Sequence, residues 1–393
     1  MTAPTLSTES LSVSYRTEEG ELHAVRNASL SIRAGEALGL VGESGSGKTT
    51  LALGAIGYLP DNARIVSGAS TLHGVDLLSL NRRALRDLWG SKIGLVSQDP
   101  QTALNPTLTI GRQLDEMGTR HLGLGKTSAR EATLAILKRV DIADPRTVID
   151  RYPHQLSGGM LQRCVIALTL LTQPDMLILD EPTTALDVTT QALILDLLED
   201  LRDDYDLAIL YITHNLGVVS RLCDRVAVMY AGEILEESGV VDLFAKPLHP
   251  YTANLLHCVP RLSSAPAMGR LATLPGDLPA LLDLPAGCIF VPRCPLALES
   301  CTKTRPTLNE ANAQRRTACY RWESLTTDEG QRAAIRAETA AAGERAESTT
   351  DGRLTRDRLP LLNVSELTKH FKGPRRRAKV KAVSGVDLSV CRR

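Results

Sequence analysis

The sequence predicts an α/β fold organised around a glycine-rich loop, followed by a small cysteine-containing extension. Two apolar runs carry this prediction. The first, Ala37–Val41, leads into the octapeptide GESGSGKT at residues 42–49 and then into Thr50–Leu53, which can open a helix. The second, at residues 176–179, ends in the neighbouring carboxylates Asp180 and Glu181. We therefore expect a buried sheet flanked by helices, with polar groups at the strand ends.

Length and charge narrow the possible classes of protein. A chain of 393 residues suggests two or three domains. Its 45 basic and 45 acidic residues balance, so no global field attracts nucleic acid or anionic lipid. No apolar run approaches the roughly 18 residues that span a bilayer, and the N-terminus lacks a signal-peptide pattern. We expect a cytoplasmic protein without a nucleic-acid partner, whose role at a membrane comes through other subunits.

The octapeptide satisfies G-x-x-x-x-G-K-[ST], the pattern of a P-loop. Its glycines permit backbone angles that a Cβ forbids, so successive N–H groups can face an anion. Lys48 can reach the β- and γ-phosphates of a nucleotide, and the Thr49 hydroxyl can bind Mg²⁺. The residues predicted to contact the nucleotide here are Gly42, Glu43, Ser44, Gly45, Ser46, Gly47, Lys48, Thr49 and Thr50.

The carboxylates after the second apolar run complete an ATP-hydrolysing pattern. A buried strand would deliver Asp180 to the Mg²⁺ side of the site, and Glu181 would orient or deprotonate the attacking water. The alternative is a strand that simply ends in acidic turn residues. The P-loop upstream favours the catalytic interpretation.

Between these two motifs, residues 156–163 read LSGGMLQR and are followed by an apolar helical run. With this order of motifs the chain resembles the nucleotide-binding subunits of ABC transporters. In that family Leu-Ser-Gly-Gly is the signature motif at a helix N-terminus. The resemblance implies that Ser157, Gly158 and Gly159 contact the γ-phosphate of ATP held by an opposing domain. Many members carry Gln where this chain has Met160, and the peptide-transport branch often has Met there.

The resemblance assigns further roles by position. Gln98 corresponds to the Q-loop glutamine, which touches Mg²⁺ or water, and His214 to the switch histidine on the γ-phosphate. Asp187 corresponds to the D-loop across the dimer interface. Tyr15 would stack on adenine, although an aromatic residue in a strand is ordinarily part of the core.

Residues 97–114 and Tyr152–Gln155 are similar to the oligopeptide/dipeptide (and nickel) importer branch, and residues 247–252 resemble the start of its C-terminal extension. The resemblance implies several partners: two integral-membrane permease subunits, a second ABC ATPase domain from a homodimer or a paired subunit and, indirectly, an extracytoplasmic solute-binding protein. It places the chain peripherally at the cytoplasmic face of the cell membrane, with ATP and Mg²⁺ as its substrate and cofactor.

Cys288, Cys294, Cys301 and Cys319 are separated by five, six and seventeen residues. Four cysteines this close in a cytosolic chain are better explained by metal than by disulfides, yet the spacing is not that of a zinc ribbon. Some relatives place an iron–sulfur cluster in this extension, and four thiolates suit a four-iron four-sulfur cluster. The sequence leaves three possibilities open for these cysteines: they bind an iron–sulfur cluster, they bind zinc, or they bind no metal.

After Trp322 the composition becomes polar. Beyond this polar segment, the sequence repeats the pattern of the first residues of the chain. Residues 362–371 parallel residues 6–15, with Phe371 at the position of Tyr15, and the match ends before a second P-loop. We expect an ABC ATPase domain at 1–250 with a helical subdomain at about 99–165, the extension at 251–325, a linker at 326–358 and the start of a second ABC ATPase domain at 359–393. The pattern suggests a fusion of two ATPases truncated early in its second half.

The leading hypothesis is an ATP-hydrolysing subunit that powers di- or oligopeptide uptake. The alternatives are a truncated product with little turnover, an importer subunit for nickel or another small solute, and a soluble ABC ATPase without a transport role. The balanced charge and the peptide-branch segments disfavour the last of these.

Overall fold

The computed structural model describes residues 3–184, 186–259, 274, 276–312, 315–335, 360–372 and 379–391. Contacts divide the chain into two compact units, residues 1–339 and 340–393. The predicted linker at 326–358 lies largely outside the described residues, as does the side chain of Phe371. The predicted domain boundaries stay predictions.

The strands alternate with helices as an α/β fold requires. The strands are β1 (Leu6–Thr17), β2 (Gly20–Ile32), β3 (Ala37–Val41), β4 (Ala63–Leu72), β5 (Val75–Asp76), β6 (Ile93–Val96), β7 (Met176–Asp180), β8 (Ala208–Thr213), β9 (Arg225–Tyr230), β10 (Glu233–Gly239), β11 (Asn309–Asn312), β12 (Arg315–Thr317), β13 (Pro360–Lys372) and β14 (Lys379–Cys391).

The helices are α1 (Lys48–Ala55), α2 (Arg82–Leu88), α3 (Pro100–Ala103), α4 (Ile110–Leu122), α5 (Lys126–Arg139), α6 (Pro145–Val148), α7 (Gly158–Leu170), α8 (Val188–Tyr205), α9 (Leu216–Leu222), α10 (Val240–Ala245), α11 (Pro250–His257) and α12 (Glu299–Lys303). Helices α3 to α7 form a continuous helical insertion between β6 and β7, over the region predicted as the helical subdomain.

The central sheet has the strand order β11-β12-β10-β9-β3-β8-β7-β6. Strands β6, β7, β8, β3 and β9 run parallel, and β10 pairs antiparallel with β9. Strands β3 and β8 are buried throughout, which is why they are continuously apolar rather than alternating. Both faces of this sheet are therefore covered.

Two hydrophobic clusters lie on the two faces, because successive side chains of a strand alternate in direction. Leu38 and Leu40 of β3 pack in the cluster that contains α1 and the first strands, whereas Ala37 and Val41 pack in the cluster with α7, α8 and α9. Strands β2, β1, β4 and β5 form a second, antiparallel sheet in that order. This sheet and α1 cover one face of the central sheet.

The cysteine-containing extension continues the central sheet. Strand β12 pairs antiparallel with β10, joining Thr317 to Glu236, and β11 pairs with β12 at the sheet edge. Helix α11 begins at Pro250, with the His249 side chain accepting a hydrogen bond from the Tyr251 N–H at 3.0 Å. Within the described residues the extension is thus part of the same compact unit as the P-loop.

The second unit contains the antiparallel pair β13 and β14, as the internal repeat predicts. Its register reproduces that of β1 and β2, and Glu366 has the same positive φ of 47° as its counterpart Ser10. The burial differs: Leu362 is 52% exposed, whereas the corresponding Leu6 is 0% exposed. About thirty residues cannot enclose a core of their own.

Candidate active site

The carboxyl-terminal ends of four neighbouring parallel strands meet at one edge of the central sheet. In the order β6, β7, β8 and β3, these ends lead to Gln98, to Asp180, to His214 and to the P-loop. Ligands of open α/β sheets bind in the crevice outside such ends. The sheet topology therefore brings together segments that lie far apart in the sequence.

Two glycines of the P-loop are required by their surroundings. At Gly42, with φ of 156°, a Cβ would lie 2.1 Å from the carbonyl oxygen of Met229. At Gly47, with φ of 100°, it would lie 2.4 Å from the carbonyl oxygen of Ala24. Only glycine fits such close backbone approaches. The loop thus holds one shape against the strands beside it.

The loop ends at the N-terminus of α1, which fits an anion. Gly47 is the N-cap of this helix, and in the described structure no side chain caps its first turn. The N–H groups of that turn remain available, and the helix dipole favours negative charge there. The nearby Ser46 hydroxyl is buried without a hydrogen-bond partner among the described residues. These uncommitted donors fit a triphosphate.

Lys48 is held across this loop. Its Nζ donates to the carbonyl oxygens of Gly42 at 3.0 Å and Glu43 at 2.8 Å, and the residue is 7% exposed. Burial lowers the pKa of Lys48, while the carboxylates of Glu181 and Asp180 oppose this shift. The ammonium therefore sits among carboxylates and carbonyls at the place predicted for the phosphates.

Thr49 and Asp180 meet at the end of β7. The Thr49 Oγ1 donates to Asp180 Oδ2 at 2.8 Å, although the two residues are 131 positions apart. Burial raises the pKa of Asp180, and the hydrogen bond from Thr49 opposes that shift. Hydroxyl and carboxylate oxygens are ligands that Mg²⁺ accepts, so this pair fits the predicted magnesium site.

Glu181 is the centre of a hydrogen-bonded group. His214 Nδ1 lies 2.9 Å from Glu181 Oε1, while Thr184 Oγ1 and Gln98 Nε2 donate to Oε2 at 3.0 and 3.4 Å. Burial raises the pKa of Glu181, but the hydrogen bonds from His214 and Thr184 outweigh it and lower that pKa below its usual value. The carboxylate is therefore ionised at neutral pH and can accept a proton.

The backbone of Glu181 has a φ of 47°, which is uncommon for a residue with a side chain. Its N–H donates to the carbonyl of Ile212 at 2.9 Å, so this turn is held against β8. Thr184 was missed in the sequence analysis. Its position three residues after Glu181 in the turn was the signal available.

Tyr15 lies beside the loop helix. Its hydroxyl is 3.2 Å from the Thr50 Oγ1 at the start of α1. The contact places this tyrosine next to a predicted nucleotide-binding residue. Its stacking on adenine stays a prediction.

The predicted signature residues stand at the N-terminus of α7. Ser157 is the N-cap, its Oγ accepting from the Met160 N–H at 3.4 Å, and both Ser157 and Gly158 are exposed. A Cβ on Gly159 would lie 2.5 Å from Thr190, whose N–H and hydroxyl donate to Asp187. The structure therefore joins the signature segment to Asp187 through Thr190.

The four cysteines of the extension line one small cavity, together with His249 and Phe290. The cavity has a volume of about 20 Å³, which is room for about one water molecule. Burial raises the pKa of Cys294 to about 11 and that of Cys319 to about 12. Among the described residues, no three or more His, Cys, Asp or Glu side chains are arranged to hold a metal ion. The donor type fits a metal group, but in this structure the four thiols are not arranged around one.

None of the helices in the described ranges is both long enough and apolar enough to cross a membrane.

Comparison with known families is consistent with this geometry. The ABC transporter family matches residues 25–184, and the C-terminal region of oligopeptide/dipeptide transporters matches residues 235–301. Among solved structures, the ATP-binding cassette MJ0796, a dimer in a post-hydrolysis state bound to ADP and Pi, is 26% identical. Its TM-score is 0.54, over 60% of this chain and 98% of that one.

The fold and the site define a P-loop ATPase of the ABC type. The oligopeptide transport ATP-binding protein OppD of Salmonella typhimurium is 45% identical over 80% of this chain and 93% of its own length. The OppD protein of Escherichia coli is 44% identical over 80% of this chain and 93% of that protein. This chain therefore belongs to the ATP-binding proteins of the oligopeptide/dipeptide branch of ABC transporters.

A further relative, the OppD protein of Mycobacterium bovis, is 41% identical over 99% of this chain and 63% of its own length. That alignment covers nearly the whole chain and so includes the second unit.

Proposed function

We propose that this chain binds and hydrolyses ATP to power the import of di- and oligopeptides through partner permeases. The observation that carries the proposal is the group around Glu181, which stands at the same sheet edge as Lys48 and the Thr49–Asp180 pair. Relatives that are named oligopeptide transport or peptide import ATP-binding proteins support the class of solute.

In this proposal the triphosphate lies at the N-terminus of α1. The loop residues from Gly42 to Thr50 surround it, and Lys48 moves its hydrogen bonds from the carbonyls of Gly42 and Glu43 to phosphate oxygens. Thr49 and Asp180 would hold Mg²⁺, and Gln98 would contact the ion or its water. When bound, Mg²⁺ neutralises charge on the β- and γ-phosphates.

For hydrolysis, Glu181 orients a water molecule and accepts its proton as the oxygen attacks the γ-phosphorus. The bond from phosphorus to the ADP oxygen breaks, giving ADP and phosphate. His214 and Thr184 hold the carboxylate in position, and the hydrogen bonds that lower its pKa keep it ionised. In this proposal the imidazole of His214 also contacts the γ-phosphate.

A second ABC ATPase domain completes the proposed site. The exposed helix end at Ser157, Gly158 and Gly159 faces the γ-phosphate bound by the opposing domain, with Asp187 at the interface. The ATP-binding cassette MJ0796, which is a dimer in its structure with ADP and Pi, supports the pairing of two such domains. Closure and reopening of the pair would move the helical insertion, which passes the motion to two permeases at the cytoplasmic face of the membrane.

Reconstitution with candidate permeases in proteoliposomes tests this function. We expect ATP hydrolysis and uptake of labelled peptides to rise together, with Glu181→Gln abolishing both. The solute is tested in the same vesicles by comparing a peptide mixture with Ni²⁺. Uptake of Ni²⁺ without uptake of peptide would show that the transported solute is the metal ion. Co-purification of the chain with nucleic acid instead of permeases would contradict a transport role.

We further propose that the cysteines at 288, 294, 301 and 319 hold a four-iron four-sulfur cluster, with zinc as the competing occupant. The shared cavity supports this proposal, as does the Arg321 N–H, which lies 3.4 Å from the Cys319 sulfur and is the kind of donor that stabilises a thiolate. Their side chains must spread to admit a group larger than one water. The group would be structural and would take no part in the reaction at the phosphates.

Anaerobic purification followed by absorbance near about 400 nm and analysis of iron, acid-labile sulfide and zinc tests this site. We expect brown protein that loses its colour in Cys301→Ser. The matched control is Cys258→Ser, because Cys258 does not line the cavity. Colourless protein containing stoichiometric zinc would identify the other metal, and metal-free protein would refute the site.

A further inference from the structure

The extension reaches back to the P-loop at Glu43. The Tyr251 hydroxyl accepts a hydrogen bond from the Glu43 N–H at 3.0 Å. Arg293 Nη1 donates to both carboxylate oxygens of Glu43, at 2.9 and 3.2 Å, and contacts the Tyr230 hydroxyl at 3.2 Å. One loop residue is thus held at its side chain and at its backbone by residues more than 200 positions away.

These contacts rest on a rigid aromatic base. Tyr230, Tyr251 and Phe290 are each 0% exposed, and their ring centroids lie 4.7 to 5.4 Å apart. The Arg293 side chain is 5% exposed, and its guanidinium carbon lies 5.7 Å from the centroid of the Tyr230 ring. Dense packing of this kind leaves the guanidinium little freedom, so its position relative to Glu43 is well defined.

Glu43 in turn touches the residue that would bind the phosphates. Its carbonyl oxygen accepts the 2.8 Å hydrogen bond from Lys48 Nζ. The negative charge of its carboxylate favours the charged form of the Lys48 ammonium. Without a counter-ion, this carboxylate would stand unpaired beside a triphosphate. Arg293 therefore has two effects on the loop: it holds Glu43 in place and neutralises its charge.

We propose that Arg293 is a positioning residue for ATP binding: from the extension it holds Glu43 and neutralises it, and so places Lys48 for the phosphates. The proposal rests on the proposed nucleotide site at the P-loop. Tyr251 contributes by fixing the backbone of Glu43. The extension consequently belongs to the nucleotide site as well as to the edge of the sheet.

Arg305 provides a matched control. It also ties the extension to the ATPase core, with Arg305 Nη1 donating to Glu233 Oε1 at 2.8 Å and Nε donating to the Gly287 carbonyl at 3.1 Å. Neither contact involves the P-loop. If both arginines served only to hold the extension against the ATPase core, replacing either one would have the same effect. Weaker ATP binding is expected only when Arg293 is replaced.

The test measures the Kd of the full chain for MgATP by calorimetry and the KM and kcat of hydrolysis. For Arg293→Ala we expect the Kd and the KM to rise roughly tenfold, equivalent to about 1.4 kcal/mol, with kcat changed less than about twofold. Arg305→Ala should leave the Kd within about twofold of the native value, whatever it does to the melting temperature.

A rescue separates charge and position from general stability. Because Arg293→Ala leaves Glu43 unpaired, the double variant Glu43→Gln/Arg293→Ala should bind ATP more tightly than Arg293→Ala alone. Should Arg293→Ala fail to fold, Arg293→Lys, which keeps the charge on a single donor group, replaces it and should show a smaller rise in Kd.

The proposal is overturned if Arg293→Ala binds ATP like the native chain, if Arg305→Ala weakens binding equally, or if removing Glu43 gives no rescue. The variant Lys48→Met separates a failure of the proposed nucleotide site from a failure of the proposal for Arg293. Native affinity in Lys48→Met would refute the P-loop assignment, whereas lost affinity in Lys48→Met with native affinity in Arg293→Ala would refute only the inference.

Discussion

Replacing Lys48 by methionine tests the phosphate site most directly. Methionine keeps an unbranched side chain of similar reach but carries no charge and no donor. In the free protein the lysine is 7% exposed and donates to two carbonyls, so the substitution removes two hydrogen bonds and, at the same time, the cost of burying an ammonium. These effects oppose each other, and we expect the unfolding free energy of the free protein to change by less than about 2 kcal/mol.

ATP binding should respond much more strongly. Lys48 Nζ has two acceptors in the free protein and would exchange them for phosphate oxygens. Hydrogen bonds to charged groups contribute about 1.5–3 kcal/mol each. Because the two bonds to neutral carbonyls are given up on binding, only the lower limit is counted for each new bond to a charged phosphate oxygen. The two together give about 3 kcal/mol, so the Kd for MgATP should rise by roughly 10²-fold.

Ligand-induced stabilisation gives the assay. At an ATP concentration of about 100 times the native Kd, the native chain should gain about 2.7 kcal/mol, and a variant with a 100-fold weaker Kd only about 0.4 kcal/mol. Thermal unfolding with and without MgATP compares the two. If Lys48→Met were stabilised by ATP as much as the native chain, Lys48 would not be a phosphate ligand.

Three further outcomes are expected. Glu181→Gln should bind ATP normally while phosphate release slows by about 10²-fold or more, and near-native turnover would exclude Glu181 as the base. Gly42→Ala should abolish ATP binding, because its Cβ would lie 2.1 Å from a carbonyl oxygen; native titration by calorimetry would contradict the strained turn. Arg225 pairs with Glu36 at 2.6 Å and with Glu237, whose side chain is 3% exposed and also pairs with Arg316. Because Arg316 remains, Arg225→Ala should lower the free energy of unfolding by about 2 kcal/mol in denaturant titrations. A loss below about 1 kcal/mol would show that water already solvates this pair.

The local parts of the site could be predicted from the sequence because they depend on short-range chemistry. A glycine loop between an apolar strand and a helix specifies its own backbone, and a buried strand delivers the carboxylates at its end. The order of such segments, together with the family resemblance, also pointed to Gln98 and His214. The structure places both against Glu181.

The repeat shows how far local information extends. Residues 360–391 form the same bulged antiparallel pair as the first two strands, down to the positive φ shared by Ser10 and Glu366. Local sequence therefore determined the pairing and the bend. Burial was decided elsewhere, since Leu6 packs beneath further strands and helix α1 while Leu362 is half exposed.

Only the tertiary structure decided which distant residues support the loop. Arg293 stands directly before Cys294 in the sequence, yet its partner Glu43 lies 250 residues earlier, and no local pattern links the two. The contact exists because β12 pairs with β10 and α11 packs its tyrosine under the loop, which brings the extension to the nucleotide edge of the sheet. Backbone conformation is encoded over a few residues, whereas the neighbours of a charge depend on how whole elements pack.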